Sequence, residues 1–508
     1  MIIQIPFSVL FTLLLFLFMA LNIVKRSNSK NSAKNLLPGP RRLPLIGNMH
    51  QLIGQLPHES LRNLAKKYGP FMHLQLGELS NIIVSSPELA IEVMKKHDAI
   101  FANRPYLLAA SILSYDSTNI SFCPYGSYWR KLRKVCTEEL LSLKRVQSFK
   151  FIREKVVSNL IEKVASNEGS VINLSKLIYE LSNVITSQAA FGIKSEHGQA
   201  FVSLNERATQ LAAGFCIADF YPSIKALQVI TGIKAKLVKL QREMDTTLNN
   251  IIKEHKESKR MNKSSPSEAR ENLLDVLLNL QEKNDPELTL TENNIKAVVL
   301  DMFGGGSDTS ATIMQWAMSE LLKNPKVLEE TQAEVRRVFD KKGLVDEAAL
   351  DELKYLKAVV KEALRLHPPI PLLLPRESSE RCEINGYEMP AKTRVIINAW
   401  AIARDPNYWT EADKFKPERF IDNPIDYRGT DFAYIPFGAG RRLCPGITFG
   451  LFNTELPLAN LLYHFDWKLP IGMKPEELDM TESFGIVLKR KQDLCLIPTC
   501  YRPRPQPQ

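Results

Sequence analysis

The most informative stretch of this 508-residue chain reads Phe437-Gly438-Ala439-Gly440-Arg441-Arg442-Leu443-Cys444-Pro445-Gly446. It places one cysteine on a glycine-rich turn. Gly438 and Gly440 have no Cβ, so they permit a tight turn with close backbone approach. Such a turn can direct backbone N–H groups at the sulfur, which stabilises a thiolate. Cys444 is therefore a candidate metal ligand.

The neighbouring residues suit haem iron as that metal. Phe437 can pack beside the ring and keep water from the sulfur. Arg442 offers a fork of donors for a haem propionate. The run from 445 to 447 fits a turn that leads into an apolar helix. A thiolate axial ligand favours O–O cleavage at the iron.

Two alternatives compete with this interpretation. A lone cysteine in a loop is usually an ordinary buried side chain. A structural zinc site would need a second nearby ligand, such as a Cys-x-x-Cys pair. Cys495 and Cys500 are too distant and wrongly spaced to supply it. The fixed offsets of Phe, Gly, Arg and Cys favour haem.

The cysteine stretch resembles the haem-binding signature of the cytochrome P450 family, in particular the plant microsomal A-type enzymes of the 71 clan. Three further motifs occur in that family's order: Glu362-Ala363-Leu364-Arg365, Pro417-Glu418-Arg419-Phe420 and Gly305-Gly306-Ser307-Asp308-Thr309-Ser310. The resemblance covers nearly the whole chain. It implies a mainly α fold with a small β region, and haem b held by the Cys444 thiolate.

The N-terminus predicts a membrane anchor. The first 24 residues carry no ionisable side chain, and Lys25, Arg26, Lys30 and Lys34 follow them. The apolar run is long enough to cross a bilayer, and the basic flank places its C-terminal side in the cytosol. A cleaved signal peptide would have a basic start and a shorter apolar core. We expect an anchor at 1–24, a basic and proline-rich linker at 25–40, a catalytic domain at 41–500 and a flexible tail at 501–508.

The cysteines and the net charge indicate the cellular compartment and the kinds of partner. The seven cysteines are irregularly spaced, which argues for a reduced, cytosol-facing domain. The net charge is +10, with a basic cluster from Arg130 to Arg145 that could attract anionic lipid or an acidic redox partner. No nucleic-acid-binding module accompanies the charge. A polar run from Lys253 to Glu271 is interpreted as a surface loop.

Periodicity predicts a helix that ends at His367-Pro368, where prolines cannot continue it. Glu362 and Arg365 lie on one face of this helix, among core residues, so a buried pair is favoured over a surface salt bridge. The resemblance adds Arg419 to this pair in a structural role. Strands are predicted at Phe71 to Leu76, Ile82 to Val84 and Val395 to Asn398.

A long helix from about Glu292 to Lys323 is expected to hold the oxygen-activating residues. Three glycines, 304–306, should interrupt it with a kink or widened turn. Asp308 and Thr309 follow, and an acid beside a hydroxyl can pass protons during oxygen activation. Alternatively, Asp308 is solvated and Thr309 bonds back to its own helix. Plant relatives often carry threonine where this chain has Ser307, so the pocket shape stays open.

The resemblance also assigns contacts to the haem and to a substrate. Trp129, Arg133 and Arg376 match positions that contact haem propionates. The substrate pocket is expected to draw on a set of mostly apolar residues: Ile112, Met302, Gly305, Ile370, Leu373 and Ile486. An apolar pocket favours a lipophilic substrate such as a terpenoid. Alkaloid and phenylpropanoid substrates stay open, because a fold does not fix a function.

Together these features predict a haem-thiolate monooxygenase in the endoplasmic reticulum membrane, single-pass, with its catalytic domain in the cytosol. The resemblance implies electrons from NADPH through NADPH-cytochrome P450 reductase, with O2 and an apolar small molecule as substrates. One alternative is an enzyme of the same fold that rearranges a hydroperoxide without a reductase. Another is a non-catalytic, membrane-associated haem-binding protein.

Overall fold

The computed structural model of the protein describes residues 37–192, 197–212, 216–261, 271–283, 289–483 and 485–501. The predicted anchor at 1–24, most of the linker and nearly all of the tail lie outside these ranges. Within them, no helix combines the length and the apolar character that a membrane crossing requires. The domain boundaries drawn from the sequence therefore stay predictions.

Helices make up most of the described chain. In chain order they are α1 Pro57–Tyr68, α2 Pro87–Ile91, α3 Leu108–Leu113, α4 Ser127–Val135, α5 Leu143–Ser148, α6 Lys150–Ala165, α7 Leu174–Phe191, α8 Gly198–Ala212, α9 Ile217–Phe220, α10 Ala226–Ile230, α11 Ile233–Met261, α12 Leu273–Lys283, α13 Glu292–Lys323, α14 Pro325–Phe339, α15 Lys354–Leu366, α16 Ala399–Ile402 and α17 Ile447–His464. The prediction of a mainly helical chain is confirmed.

The strands are short and form small sheets. They are β1 Phe71–Leu76, β2 Leu79–Val84, β3 Ile172–Asn173, β4 Arg376–Glu377, β5 Cys382–Ile384, β6 Tyr387–Met389, β7 Arg394–Ile397, β8 Phe465–Lys468, β9 Glu482–Ser483, β10 Lys489–Arg490 and β11 Cys495–Cys500. The largest sheet has the order β1-β2-β7-β4, with β2 and β7 parallel. All three strands predicted from the sequence belong to it. The others pair as β3-β11-β8, β5-β6 and β9-β10.

Helix α13 is the central element of the core. It has 32 residues and is therefore about 48 Å long. Thr291 caps its N-terminus by accepting a hydrogen bond from the Asn294 N–H at 3.2 Å. Residues on all sides of the helix are buried, because α7, α15 and α17 pack around it. A helix that is apolar all round belongs in the interior of a large domain.

Helix α13 continues as α-helix through residues 304–306, so the widened turn expected at the three glycines is wrong, while a kink there stays a prediction. The glycines instead permit close packing. A Cβ on Gly306 would lie 3.0 Å from Cε1 of Phe449, a residue of α17. A Cβ on Gly305 would meet no atom within 4 Å, so that position faces open space. Each glycine costs about 0.5–1 kcal/mol relative to alanine, which such packing can offset.

The prediction of a loop from Lys253 to Glu271 is wrong for the first part of that run. Helix α11 continues to Met261, so the first part of the run is helical. Lysine and glutamate are good helix formers, and polarity alone therefore did not indicate a loop. Residues 262–270 lie outside the described ranges.

Glu362, Arg365 and Arg419 meet in the interior. Arg365 donates two hydrogen bonds to the Glu362 carboxylate, at 2.7 and 2.8 Å, and both side chains are fully buried. Arg419 Nε donates to the same carboxylate at 3.2 Å. The Arg365 guanidinium also donates to the carbonyls of Ala403 and Ala412. This network fixes the end of α15 against the segment that precedes the cysteine stretch.

We predict that Glu362→Ala destabilises the protein strongly. The change leaves two guanidinium groups without their carboxylate, and breaking a buried pair in this way costs about 3–5 kcal/mol of unfolding free energy. Chemical denaturation followed by circular dichroism measures the loss.

Glu388→Ala is the matched control for this prediction. Glu388 forms an ion pair with Arg381, and the two side chains are 53% and 71% exposed. An exposed pair contributes at most about 1 kcal/mol. Equal effects of the two substitutions would contradict a stabilising role for the buried network.

Candidate haem site and cavity

The cysteine turn depends on two glycines in left-handed conformations. Gly438 has φ +73° and Gly440 has φ +68°, which other residues rarely adopt. The Cys444 N–H donates to the Phe437 carbonyl at 3.0 Å and closes the turn. A Cβ on Gly440 would lie only 2.2 Å from the Met94 carbonyl oxygen. The turn therefore packs directly on the segment around Met94, and Gly440 is required for that approach.

Asp98, which lies outside the cysteine turn, holds the turn in place through hydrogen bonds and ion pairs. Its carboxylate accepts from the Arg441 backbone N–H at 2.8 Å and lies 3.2 Å from the Arg441 guanidinium. Arg376 approaches the carboxylate at 3.4 Å and donates to the Ala439 carbonyl at 2.8 Å. A single buried acid thus connects the turn to β4. The sequence analysis missed Asp98, since its partners lie more than 270 residues away and no local pattern marks it.

The environment of the Cys444 sulfur influences its ionisation. Burial raises the pKa of the thiol, whereas the Gly446 N–H and the Arg133 charge lower it. Phe437 packs edge-on against Tyr427, with ring centroids 5.6 Å apart, and belongs to the partly buried layer of the main core. An N–H group beside the sulfur is the arrangement expected for a stabilised thiolate.

Arg442 lies buried beneath the turn. Its guanidinium donates to the carbonyls of Ala102, Ile120 and Cys123 and stacks over the Trp129 ring at 4.2 Å. Trp129, on α4, donates its indole N–H to the Ile120 carbonyl at 2.9 Å. The structure thus brings two of the predicted propionate contacts together. Whether they bind a propionate stays a prediction.

The arginines around the turn carry more positive charge than the nearby acids balance. Burial lowers the pKa of Arg376 and of Arg442 to about 10. Burial and the charges of Arg442 and Arg376 also lower the pKa of Arg104 well below its usual value. The Arg104 side chain donates to the carbonyls of Ser121, Leu374 and Pro375.

A cluster of buried cations held mainly by neutral carbonyls is suited to an anionic ligand. Arg133 belongs to this cluster, because its charge acts on both Arg442 and Cys444. Haem brings two propionates, which would offset the mutual repulsion of the arginines. Its iron would meet the one cysteine on the glycine turn. The residues present therefore fit haem, with Arg104 and Asp98 as additions to the set predicted from the sequence.

The two predicted relay residues lie on α13. The Thr309 hydroxyl donates to the Gly305 carbonyl at 2.6 Å, which is the back-bonded alternative considered above. Asp308 is 3% exposed, so it is not the solvated acid of that alternative. Its carboxylate pairs with the Lys489 ammonium at 3.2 Å. Burial lowers the pKa of Lys489, but the Tyr179 and Asp308 contacts outweigh it and raise that pKa overall.

A cavity of about 450 Å³ lies against α13. Four of the predicted substrate residues line it: Gly305, Ile370, Leu373 and Ile486. Leu373 also packs beside the cysteine turn, because a Cβ on Gly438 would lie 3.8 Å from its methyl group. The cavity and the candidate haem site are therefore adjacent.

Ile112 and Met302 are not among the residues that line this cavity, so their place in the substrate pocket stays a prediction. Met302 is 9% exposed and packs in a core cluster, while Asp301, Gly304 and Gly305 of the same helix face the cavity. Ile112 packs beside Leu108. In both helices the cavity-facing residues recur at three- and four-residue spacing.

Several polar residues of the cavity wall were not foreseen. Asp301 accepts hydrogen bonds from the Asn119 side chain at 2.7 Å and from the Ser121 N–H at 2.9 Å. Burial raises the pKa of its carboxyl to about 6. Asp219 and Asn205 line the cavity as well. The three- and four-residue spacing along α13 could have predicted that Asp301 faces the cavity. Nothing in the sequence indicated that Asn119 and Ser121 are its hydrogen-bond partners.

A buried hydrogen-bonded chain of two histidines and two glutamates lies next to the cavity wall. The His367 ring lies 2.8 Å from Glu320 and 3.4 Å from Glu482, and His58 lies 2.9 Å from the other Glu482 oxygen. Burial raises the pKa of Glu482, but hydrogen bonds from the two histidines outweigh it and lower that pKa to about 2. His58 itself lines the cavity. The chain therefore fixes α1, α13 and β9 relative to one another.

Comparisons with known proteins agree with this geometry. The family model described as Cytochrome P450 matches residues 37–496. The chain is 56% identical to Cytochrome P450 71D10 of Glycine max over 98% of each protein, and 48% identical to Premnaspirodiene oxygenase of Hyoscyamus muticus over 98% of this chain and 99% of that one. A zebra fish cytochrome P450 structure with progesterone superposes with a TM-score of 0.74 at 25% identity, covering 88% of this chain and 100% of that one. The chain therefore belongs to the cytochrome P450 family of monooxygenases, whose members bind haem through a cysteine thiolate.

Proposed function

We propose that the protein inserts one oxygen atom from O2 into an apolar plant specialised metabolite, with electrons from NADPH. The observation that carries the proposal is the adjacency of two sites. Leu373 packs beside the turn that carries Cys444 and also lines a largely apolar cavity with Thr309 on its wall. A site for oxygen chemistry is thus adjacent to a site for a lipophilic molecule.

Each residue has a distinct task in this proposal. Haem, when bound, supplies the oxygen activation. Cys444 holds it from one side, and Arg376 and Arg442 neutralise its carboxylates. The Thr309 hydroxyl accepts and donates protons at the cavity wall. The ion pair of Asp308 with Lys489, whose side chain is 34% exposed, supports delivery of protons from the surface to that hydroxyl.

We propose a terpenoid as the substrate class. Apolar side chains dominate the cavity wall, as in most sites for lipophilic ligands. The name of one relative, Premnaspirodiene oxygenase, identifies a diene as what that protein acts on. Alkaloid and phenylpropanoid skeletons of similar size are the classes to test beside it. Product identification by mass spectrometry in microsomes with reductase separates them.

The electron donor is proposed to be NADPH-cytochrome P450 reductase. Arg130 and Lys134 are exposed on α4, and Arg441 of the cysteine turn is 48% exposed. They form a basic surface beside the thiolate, which suits an acidic redox partner. The apolar segment at 1–24 is proposed to hold the protein in the endoplasmic reticulum membrane with this surface in the cytosol.

Two other functions make different predictions. An enzyme that rearranges a hydroperoxide needs neither reductase nor NADPH. A haem-binding protein without catalysis should show no substrate-dependent NADPH consumption. Asp308 and Thr309 favour oxygen activation, because neither alternative needs a proton relay. Dependence of product formation on NADPH and reductase therefore decides among the three.

We expect Cys444→Ala to abolish both activity and the ferrous–CO absorption band typical of thiolate ligation. The variant retains the cavity but loses the axial sulfur. Cys382→Ala, which changes a half-buried cysteine on β5, is the control and should keep the band. Retention of the band in the Cys444 variant would refute the assignment of the ligand.

Arg376→Met should accelerate loss of haem. The arginine is fully buried beside the cysteine turn, and a hydrogen bond to a charged group contributes about 1.5–3 kcal/mol, or roughly 10- to 100-fold. Transfer of haem to excess apomyoglobin measures the rate. Arg404→Met is the control, because burial lowers the pKa of Arg404 to about 10 as well, but its hydrogen bond goes to Leu366. If both variants lose haem at the same rate, Arg376 has only a general structural role.

The Thr309→Ala variant should bind haem and substrate normally, but its NADPH consumption should be uncoupled from product formation. Without the hydroxyl, proton delivery loses its organiser, so the product formed per NADPH should fall severalfold while peroxide release rises. Ser319→Ala is a close control, since Ser319 lies on the same helix and its hydroxyl likewise donates to the carbonyl four residues earlier, at 2.7 Å. Unchanged coupling in the Thr309 variant with a hydrocarbon substrate would remove Thr309 from the relay.

A further inference from the structure

Most polar groups on the cavity wall already have partners within the protein. The Asp219 carboxylate accepts from the Leu108 N–H at 2.8 Å. The two oxygens of Asp301 accept from the Asn119 side chain and from the Ser121 N–H. These groups hold the wall together. They are not free to select a ligand.

Asn205 differs from them. It lies on α8, lines the cavity and is 7% exposed. Its backbone carbonyl accepts from the Thr209 hydroxyl at 3.0 Å, but its side-chain amide makes no hydrogen bond within the described part of the chain. A Cβ on Gly304 would lie 3.5 Å from Asn205 Oδ1, so the absence of a side chain at Gly304 leaves room beside the amide.

The Asn205 side chain faces the cavity and has no hydrogen-bond partner in the described protein, so its amide is accessible to a bound molecule. A ligand that supplies a matching polar group there gains a hydrogen bond, whereas a purely apolar ligand would cover the amide and leave it unpaired. The amide can both donate and accept, so it suits a hydroxyl or a carbonyl oxygen. Its neighbours on the cavity wall, Ala208 and Ala212, are apolar and would contact the carbon skeleton.

We propose that Asn205 binds an oxygen function of the substrate, a hydroxyl or a ketone, carried on an otherwise apolar skeleton. The inference rests on the proposed function and refines its substrate class from a terpenoid in general to one that already carries an oxygen function. The hydrogen bond fixes one end of the skeleton at α8. Sites built around a hydrogen bond discriminate well against analogues that lack the bonding group. An earlier reaction that introduces oxygen, such as a hydration, a hydrolysis or an oxygenation, must then supply this substrate.

The test compares three probes of one carbon skeleton: trans-decalin, trans-2-decalol and 2-decalone. Each is titrated into the haem-loaded, full-length protein, and the dissociation constant is taken from the change in the haem absorption spectrum or from equilibrium dialysis. The wild type should bind the alcohol and the ketone more tightly than decalin. In Asn205→Leu this preference should fall by about three- to tenfold, the effect of one hydrogen bond. Decalin itself should bind equally well or better.

Thr209→Val is the matched control. It removes a hydroxyl from the same cavity wall one turn along the same helix, but that hydroxyl is already bonded to the Asn205 carbonyl. The preference for oxygenated probes should persist. Asn205→Ala serves as a second variant if the leucine variant does not fold, and it should show the same loss of preference.

An unchanged preference in a folded, haem-loaded Asn205 variant would overturn the proposal, and so would an equal change in Thr209→Val. Neither result bears on the oxygenase activity itself. That activity is measured separately, as NADPH- and reductase-dependent product formation. A protein that oxidises its substrate but ignores the Asn205 change would keep its proposed function and lose only this refinement.

Discussion

The contact between Asp98 and the cysteine turn is the constraint on which the site depends. The Asp98 carboxylate accepts a hydrogen bond from the Arg441 backbone N–H. It also forms ion pairs with the Arg441 and Arg376 guanidinium groups. It therefore sets the position of Cys444 relative to β4 and to the cavity segment before it. The turn can approach this acid only because Gly440 has no Cβ, since any side chain there would overlap the Met94 carbonyl. A glycine and an acid that are distant in sequence thus act as one unit.

A cluster of buried arginines surrounds the cysteine turn. Arg104, Arg133, Arg376 and Arg442 concentrate positive charge beside Cys444. Burial lowers the pKa of each, and the charges of neighbouring arginines lower it further at Arg104 and Arg442. Such an arrangement is unfavourable by itself and becomes favourable with a dianionic cofactor. Loading of the cofactor and stability of the fold should therefore be coupled. The network of Glu362, Arg365 and Arg419, by contrast, is balanced internally and needs no ligand.

The cavity wall combines fixed and free polar groups. Asp301 holds the loop that also supplies carbonyls to Arg104 and Arg442, so the wall and the cation cluster share one segment. The buried chain of histidines and glutamates holds the opposite side. Against this rigid and mostly apolar surface, the free amide of Asn205 is well placed to orient a ligand. Specificity then depends on one hydrogen bond within a shape that the rest of the fold sets.

The sequence by itself determined the family, the extent of α13 and the three strands of the main sheet, and it predicted Cys444 as the ligand. These features depend on residues close together in the chain, where glycine, proline and helical or strand periodicity act locally. It did not determine that Gly306 of α13 packs against Phe449, because that contact comes from another helix. Nor did it reveal Asp98, Arg104 or Asn205. Those roles arise from contacts between segments far apart in the chain, and a single sequence carries no periodic signal for such contacts.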